Sequence, residues 1–356
     1  MTCSRVFCVW SVVGSILVLA QPTFPQGSLT PPGPPAPTFK TLNQVEPRTP
    51  ITNLPYFITA PGSYYLVTNL NGGAGGGITI SNSDVSVDLN GFALIGGTGA
   101  GISFTLVTNV AIRNGTVRGW SGAGVNGFGA PNSLFQNLRA SQNGNIGLRI
   151  SQGLISGCTA MTNGFNGIVV DLNSTVINCT ASFNVGHGIV GGSDSTVVNC
   201  TASSNGGNGI NGSTHSTLIG CTASSNTGTG IFASLGSTIV DCTASANRGD
   251  GIQVVEGCQV TRNTCYKNTA AGIHATLGLN RIEANHMTEN GRGVQLTGGT
   301  DTNVLVRNTA GHHPLVGPTL ASNYVFSGFT IFGPTNSLLG TGGVLTNQNP
   351  WANFSF

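Results

Sequence analysis

Four residues in the C-terminal half carry the side chains that acid–base chemistry requires: Asp250, Glu256, His274 and Arg292. Asp250 or Glu256 would serve as general base or acid, and Arg292 as the cation that grips a carboxylate. Asp250, His274 and Arg292 fall near the same edge of successive repeats, which predicts convergence within about 10 Å at a strand spacing of ~4.8 Å. The set is incomplete as a catalytic signature. Glycoside hydrolysis needs two carboxylates at a defined separation. A calcium-assisted lyase needs several Asp on one face. Asp171, Asp194 and Asp241 fall in different columns of the repeat and do not stack. A solvated charged face is the competing account. Calcium enters only under the lyase reading, and no other metal or cofactor is implied; His312 and His313 lack a third ligand.

Contact chemistry has a more regular carrier. Thr159, Thr180, Thr201, Thr222, Thr243 and Thr264 form one column, and Ser182, Ser203, Ser224 and Ser245 a second. On a parallel sheet these columns predict an outward hydroxyl grid, ~4.8 Å between strands and ~7 Å along them. Such a grid suits carbohydrate contact or ice binding, although β-branched Thr also suits any exposed strand. Cys158, Cys179, Cys200, Cys221 and Cys242 recur every 21 residues, and Asn263 and Asn285 continue their position. No His or carboxylate repeats beside the thiols, so a buried corner column is expected rather than a metal site.

These residues are positioned by one degenerate repeat, clearest in "CTASFNVGHGIVGGSDSTVVN" followed by "CTASSNGGNGINGSTHSTLIG". Gly–aliphatic pairs place Ile78, Ile102, Val125, Leu148, Ile168, Ile189, Ile210, Ile231, Ile252, Ile273 and Val294 at spacings that settle to 21. Two more columns are apolar throughout, one through Val176, Val197, Leu218 and Ile239, the other through Ala181, Ala202, Ala223 and Ala244. Period-two alternation in short strands then predicts a three-sided interior with Gly and Asn at the corners. The fold class is all-β: a single-stranded parallel β-helix of about eleven coils of ~21 residues, spanning 56–310. The tail 311–356 abandons the repeat and carries aromatics, as a cap would, and the outward stripe Ile177, Val198, Ile219 and Val240 offers it a path.

The segment "RIEANHMTENGRGVQL" at 281–296 and the opening "GITISNSDVSVDLNGFALIG" at 77–96 resemble the right-handed parallel β-helix repeat of pectate-lyase-like enzymes and many secreted bacterial proteins. The resemblance implies handedness and fold. It leaves function open, since that group includes lyases, hydrolases, epimerases and non-catalytic binders.

Composition narrows the partners. The 356 residues include 54 Gly and only 7% charged residues, with a net charge of +2 and no basic run, so nucleic acid has no electrostatic footprint here. Residues 1–20 read as a signal peptide, with Arg5 before a hydrophobic run ending at Ala20, shorter than a membrane span. Residues 21–55 are a Pro-rich linker and lead-in, seven prolines falling within 21–37. The expected protein is secreted or held at the cell surface, where it binds polysaccharide or serves structurally. The alternatives are a polysaccharide lyase or glycoside hydrolase and an ice-binding surface. Oligomeric state leaves no signature.

Overall fold

The computed structural model describes residues 47–298, 301–312, 323–327, 330–337 and 349–355; the expected signal peptide and most of the Pro-rich segment lie outside them. Every described strand is parallel to its neighbours, in one sheet of 13 strands and another of 26. A coil contributes one strand to the first sheet and two to the second, as in Ile189–Val190, Thr196–Val198 and Thr201–Ser203. The register is that of the repeat: Ile189 pairs with Ile210, Val197 with Leu218, and Ala202 with Ala223. All of these are fully buried, so the three apolar columns meet in one continuous interior. Each buried aliphatic contributes roughly 1.5–3 kcal/mol.

The 13 strands exceed the eleven Gly–aliphatic markers. Tyr56–Ile58 starts the first sheet without a preceding glycine, and Tyr324–Ser327 ends it from within the tail. The described parts of the tail continue the stack rather than running back along the Ile177–Val240 stripe. Tyr324 pairs with Val294, Thr330 with Asn303, and Phe354 with Thr309. Tyr324, Phe326 and Phe332 close that end with ring centroids 4.9–6.3 Å apart, Phe332 meeting the other two edge to face, and Ile219 stays exposed on the stripe.

Ahead of the cysteine column the corner follows the Gly/Asn expectation, with Gly157, Asn178, Asn199 and Gly220 at positive φ, whereas ahead of the asparagine stack it does not. Phe183, Ser204, Ser225, Ala246 and Lys267 all adopt positive φ near 55°, at a cost of roughly 1–2 kcal/mol each. The following residue offsets that cost by turning inward. Asn163, Asn184, Asn205, Asn226, Asn247 and Asn268 stack in the core, each amide oxygen accepting both the backbone and the side-chain N–H of the coil before it at 2.9–3.2 Å. The second corner holds the cysteines in the same role. The Cys158 N–H donates to Cys179 Sγ at 3.4 Å, and the Cys242 N–H to Asn263 Oδ1 at 2.8 Å, where the column returns to asparagine. The third corner carries a ladder that the repeat does not advertise, Ser174, Ser195, Ser216 and Ser237, all buried. All seven described cysteines are free and buried, and no group of three metal-ligating side chains assembles among the described residues.

Candidate functional site

On the 13-stranded sheet the residue after each inward aliphatic faces out. Strand register aligns Arg149, Val169, Val190, Asn211, Phe232, Gln253, His274 and Gln295 in one outer column. Beside it runs a second column, two residues before each aliphatic: Asn166, His187, Asn208, Thr229 and Asp250. Its side chains receive the backbone of the next coil. Asn166 Oδ1 accepts from the His187 N–H at 2.8 Å, and His187 Nδ1 from the Asn208 N–H at 2.8 Å. Asn208 Oδ1 accepts from Thr229 at 3.0 Å and Asp250 Oδ1 from Ala271 at 2.8 Å. His187 thus does the work of an asparagine with an unprotonated ring nitrogen, and burial holds its pKa below the ordinary histidine value.

Between the first of these columns and the following turn lies a groove of about 390 Å³ lined by Val169, Asp171, Val190, Asn211, Ser213 and Phe232. Its size falls within the ~300–1,000 Å³ usual for small-ligand sites. Gly192 forms its floor, where an added Cβ would stand 2.5 Å from the Asp171 carbonyl carbon. One end is fixed by Arg149, which pairs with Asp171 at 3.4 Å and lies 4.3 Å from the centre of the Phe128 ring. Ser151 Oγ donates to Asp171 Oδ2 at 2.5 Å. Asn208 Nδ2 donates to Asn211 Oδ1 at 3.1 Å and holds that amide in place.

The four charged candidates divide into a contacting pair and two residues bound elsewhere or unpaired with it. Asp250 and His274 meet directly, with Nδ1 3.0 Å from Asp250 Oδ2. The other ring nitrogen, Nε2, lies 2.7 Å from Thr297 Oγ1. Thr297 escaped the sequence reading because it lies three positions after the aliphatic Val294 of the next coil, whereas His274 lies one after Ile273; aligning both on the Gly–aliphatic pairs was the available signal. Arg292 turns to Gln295, its Nη1 donating to Oε1 at 2.8 Å. Glu256 stands in the turn after Ile252–Val254, without an ion pair to either residue. Elsewhere the carboxylates are engaged: Asp88 with Arg113, Asp194 with His215, Asp241 with Arg262, Glu283 with Arg281 and Arg307, and Glu289 with Lys267. Two unpaired carboxylates do not face each other across the groove.

The hydroxyl columns stack as their spacing requires: Thr180 on Thr201 on Thr222 on Thr243, and Ser182 on Ser203 on Ser224 on Ser245. Thr159 precedes this run and Thr264 follows it. Most are half-buried against each other, and Ser182 is buried. The neighbouring strand adds a further outward column, Thr175, Thr196, Thr217 and Thr238. Asn353, in the glycosylation sequon Asn-Phe-Ser, is fully buried, and its Oδ1 caps the column of cysteines, Asn263 and Asn285 by accepting from the Asn308 N–H at 2.9 Å.

The sequence pattern of the right-handed β-helix region matches residues 64–202 and 173–310, well over half of the chain. The chain belongs to the right-handed β-helix family. Nothing among curated protein sequences matches it. Among solved structures, the catalytic domain of a GH87 α-1,3-glucanase in complex with tetrasaccharides aligns at 13% identity and a TM-score of 0.51, covering 79% of this chain and 62% of that one. The A-module of Azotobacter vinelandii mannuronan C-5 epimerase AlgE6 aligns at 15% identity and a TM-score of 0.47, covering 69% and 82%. The Dettilon tailspike protein aligns at 12% identity and 0.44, covering 80% and 60%. At these identities the likeness of this β-helix to each is one of fold.

Proposed function

We propose that this β-helix is an extracytoplasmic protein that binds a polysaccharide on the outer face of its 13-stranded sheet without cleaving the glycan backbone. The observation that carries the proposal is the groove beside Phe232, an aromatic ring bordered by the Asn211 amide, the Ser213 hydroxyl and the Asp171 carboxylate. A ring for stacking beside short polar side chains is what a sugar, with one apolar face and an equator of hydroxyls, requires. The groove lies on a parallel ladder, so a chain polymer running along the stack meets side chains at ~4.8 Å intervals. Asp171 is the one carboxylate lining the groove and is paired with Arg149, whereas glycosidic cleavage needs two. The hydroxyl face is the weaker binding surface, being flat and half-buried against itself. Export rests on the hydrophobic segment at 6–20. No helix among the described residues is long and apolar enough to cross a membrane.

Retention of the purified chain on soluble and insoluble polysaccharides tests the proposal. Selective retention on at least one polymer is expected. Absence of retention across neutral, acidic and amino-sugar polymers would overturn it.

A further inference from the structure

We propose that Asp250, His274 and Thr297 form a hydrolytic site for carboxylic esters, with the O-acyl groups of a polysaccharide as the substrate class. The substrate class rests on the glycan-binding reading above; the chemistry of the three residues does not.

The hydrogen-bond geometry fixes the roles. A carboxylate can only accept, so the Nδ1 that faces Asp250 Oδ2 at 3.0 Å carries the imidazole hydrogen. When the ring is neutral its Nε2 accepts, and the group 2.7 Å away is the Thr297 hydroxyl. Asp250 is locked in turn, because its other oxygen receives the Ala271 N–H at 2.8 Å. Nucleophile, base and orienting carboxylate are thus joined in series by side chains from three successive coils. Asp250 and His274 keep only 12% and 17% of their side-chain surface exposed, which shields the Asp–His bond from water, while Thr297 at the strand end is half-exposed. Gln295 follows His274 in the outer column, and Arg292 holds its Oε1 at 2.8 Å. That bond leaves the Gln295 amide hydrogens to donate to a developing oxyanion, with Arg292 as a positioning residue.

In the first step Thr297 Oγ bonds to the acyl carbon and its proton passes to His274 Nε2. The tetrahedral centre collapses by breaking the ester C–O bond, and the leaving sugar oxygen takes the proton from Nε2. Water then attacks the acyl-threonine, gives a proton to Nε2, and the threonine oxygen leaves with it. The products are a carboxylic acid and the free sugar hydroxyl, and no other reactant is consumed.

The test is hydrolysis of p-nitrophenyl acetate by the full chain and by Thr297→Val, Thr297→Ser and His274→Gln. Thr297→Val keeps the side-chain shape, and its melting temperature is measured alongside. The expected result is hydrolysis that falls on the order of 100-fold in Thr297→Val and His274→Gln and persists in Thr297→Ser. A fluorophosphonate probe should add to residue 297 in the wild type and in Thr297→Ser, but not in Thr297→Val. Hydrolysis no faster than the buffer, or equal in Thr297→Val, would overturn the site, as would an adduct elsewhere. Acetate release from an O-acetylated polysaccharide reports the substrate class. Hydrolysis of p-nitrophenyl acetate needs no glycan, so a wild type that hydrolyses it but is retained on no polysaccharide keeps the site and overturns only its substrate class.

Discussion

The side-chain amide of Asn184 donates to Asn205 Oδ1 at 3.0 Å, and the Asn184 backbone N–H donates to the same oxygen at 3.1 Å. Asn205 repeats both bonds to Asn226 and spends its remaining hydrogen on the Ala181 carbonyl at 3.1 Å. Asn205→Leu strands these buried groups at once, and each orphan costs about 1–3 kcal/mol. A loss of about 3–5 kcal/mol is expected, seen as a lower midpoint in denaturant. Ser204→Gly, at the positive-φ residue just before, should be neutral or stabilising by up to about 1 kcal/mol. The two neighbours should therefore move stability in opposite senses.

Gly188 is required for room rather than for its backbone angles. A Cβ there would sit 2.6 Å from Asn205 Nδ2 and 2.6 Å from the Gly209 carbonyl oxygen. Gly188→Ala should displace the ladder and cost about 2–4 kcal/mol by the same midpoint measurement. An unchanged midpoint would show that the coils are spaced more loosely than this contact implies.

The thiol column should be chemically silent because reagents cannot reach it, every member from Cys158 to Cys242 being buried. Each thiol, as at Cys200, donates to the carbonyl two residues before it, here Val198 at 3.2 Å, while accepting a backbone N–H from the coil below. Burial also holds the Cys258 and Cys265 thiols above the ordinary cysteine pKa. A thiolate-specific reagent should therefore find none of the seven cysteines of a chain starting at residue 21 until denaturant is added. Cys200→Ser should be tolerated, since serine fills the equivalent role at Ser195 and Ser216. Cys200→Val leaves the Cys179 N–H unpaired and should cost about 1–3 kcal/mol more.

Histidine in the outer ladder introduces a pH dependence. Burial lowers the His187 pKa in the folded chain from its ordinary 6.5, so the unfolded chain binds the extra proton first. The stability from neutral His187 is full above pH 6.5 and declines as pH falls through the depressed value. Protonation would also set an N–H against the Asn208 N–H that Nδ1 now accepts. The melting temperature should fall as pH drops below about 6.5. His187→Asn, which matches Asn166 and Asn208 in the same column, should flatten that segment of the profile.

The interior was legible because an apolar column repeated every 21 residues leaves few other ways to be buried. Cysteine standing in an asparagine stack was legible for the same reason, since Asn263 and Asn285 continue the column. The corner conformations were legible only in part, at Gly157, Asn178, Asn199 and Gly220. Phe183 and Lys267 turn left-handed because the ladder residue after them dictates the bend, not because of their own preference. The expected meeting of Asp250 and His274 followed from strand register, but the direction of Arg292 depends on Gln295, a local contact that column spacing cannot encode. The groove was hidden altogether. It arises where Gly192 and Ser213 follow the outer column in place of larger side chains, an absence that no motif marks.

The glycan-binding proposal is tested most directly by binding isotherms on a polysaccharide that retains the wild type, using two double variants on different sheets. Phe232→Ala with Asn211→Ala strips the groove, and Thr201→Tyr with Thr222→Tyr disrupts the hydroxyl face. The account predicts at least a roughly tenfold weaker Kd for the first pair, equivalent to about 1.4 kcal/mol, and an unchanged Kd for the second. Unchanged binding in the groove variant, or loss confined to the hydroxyl-face variant, would contradict it.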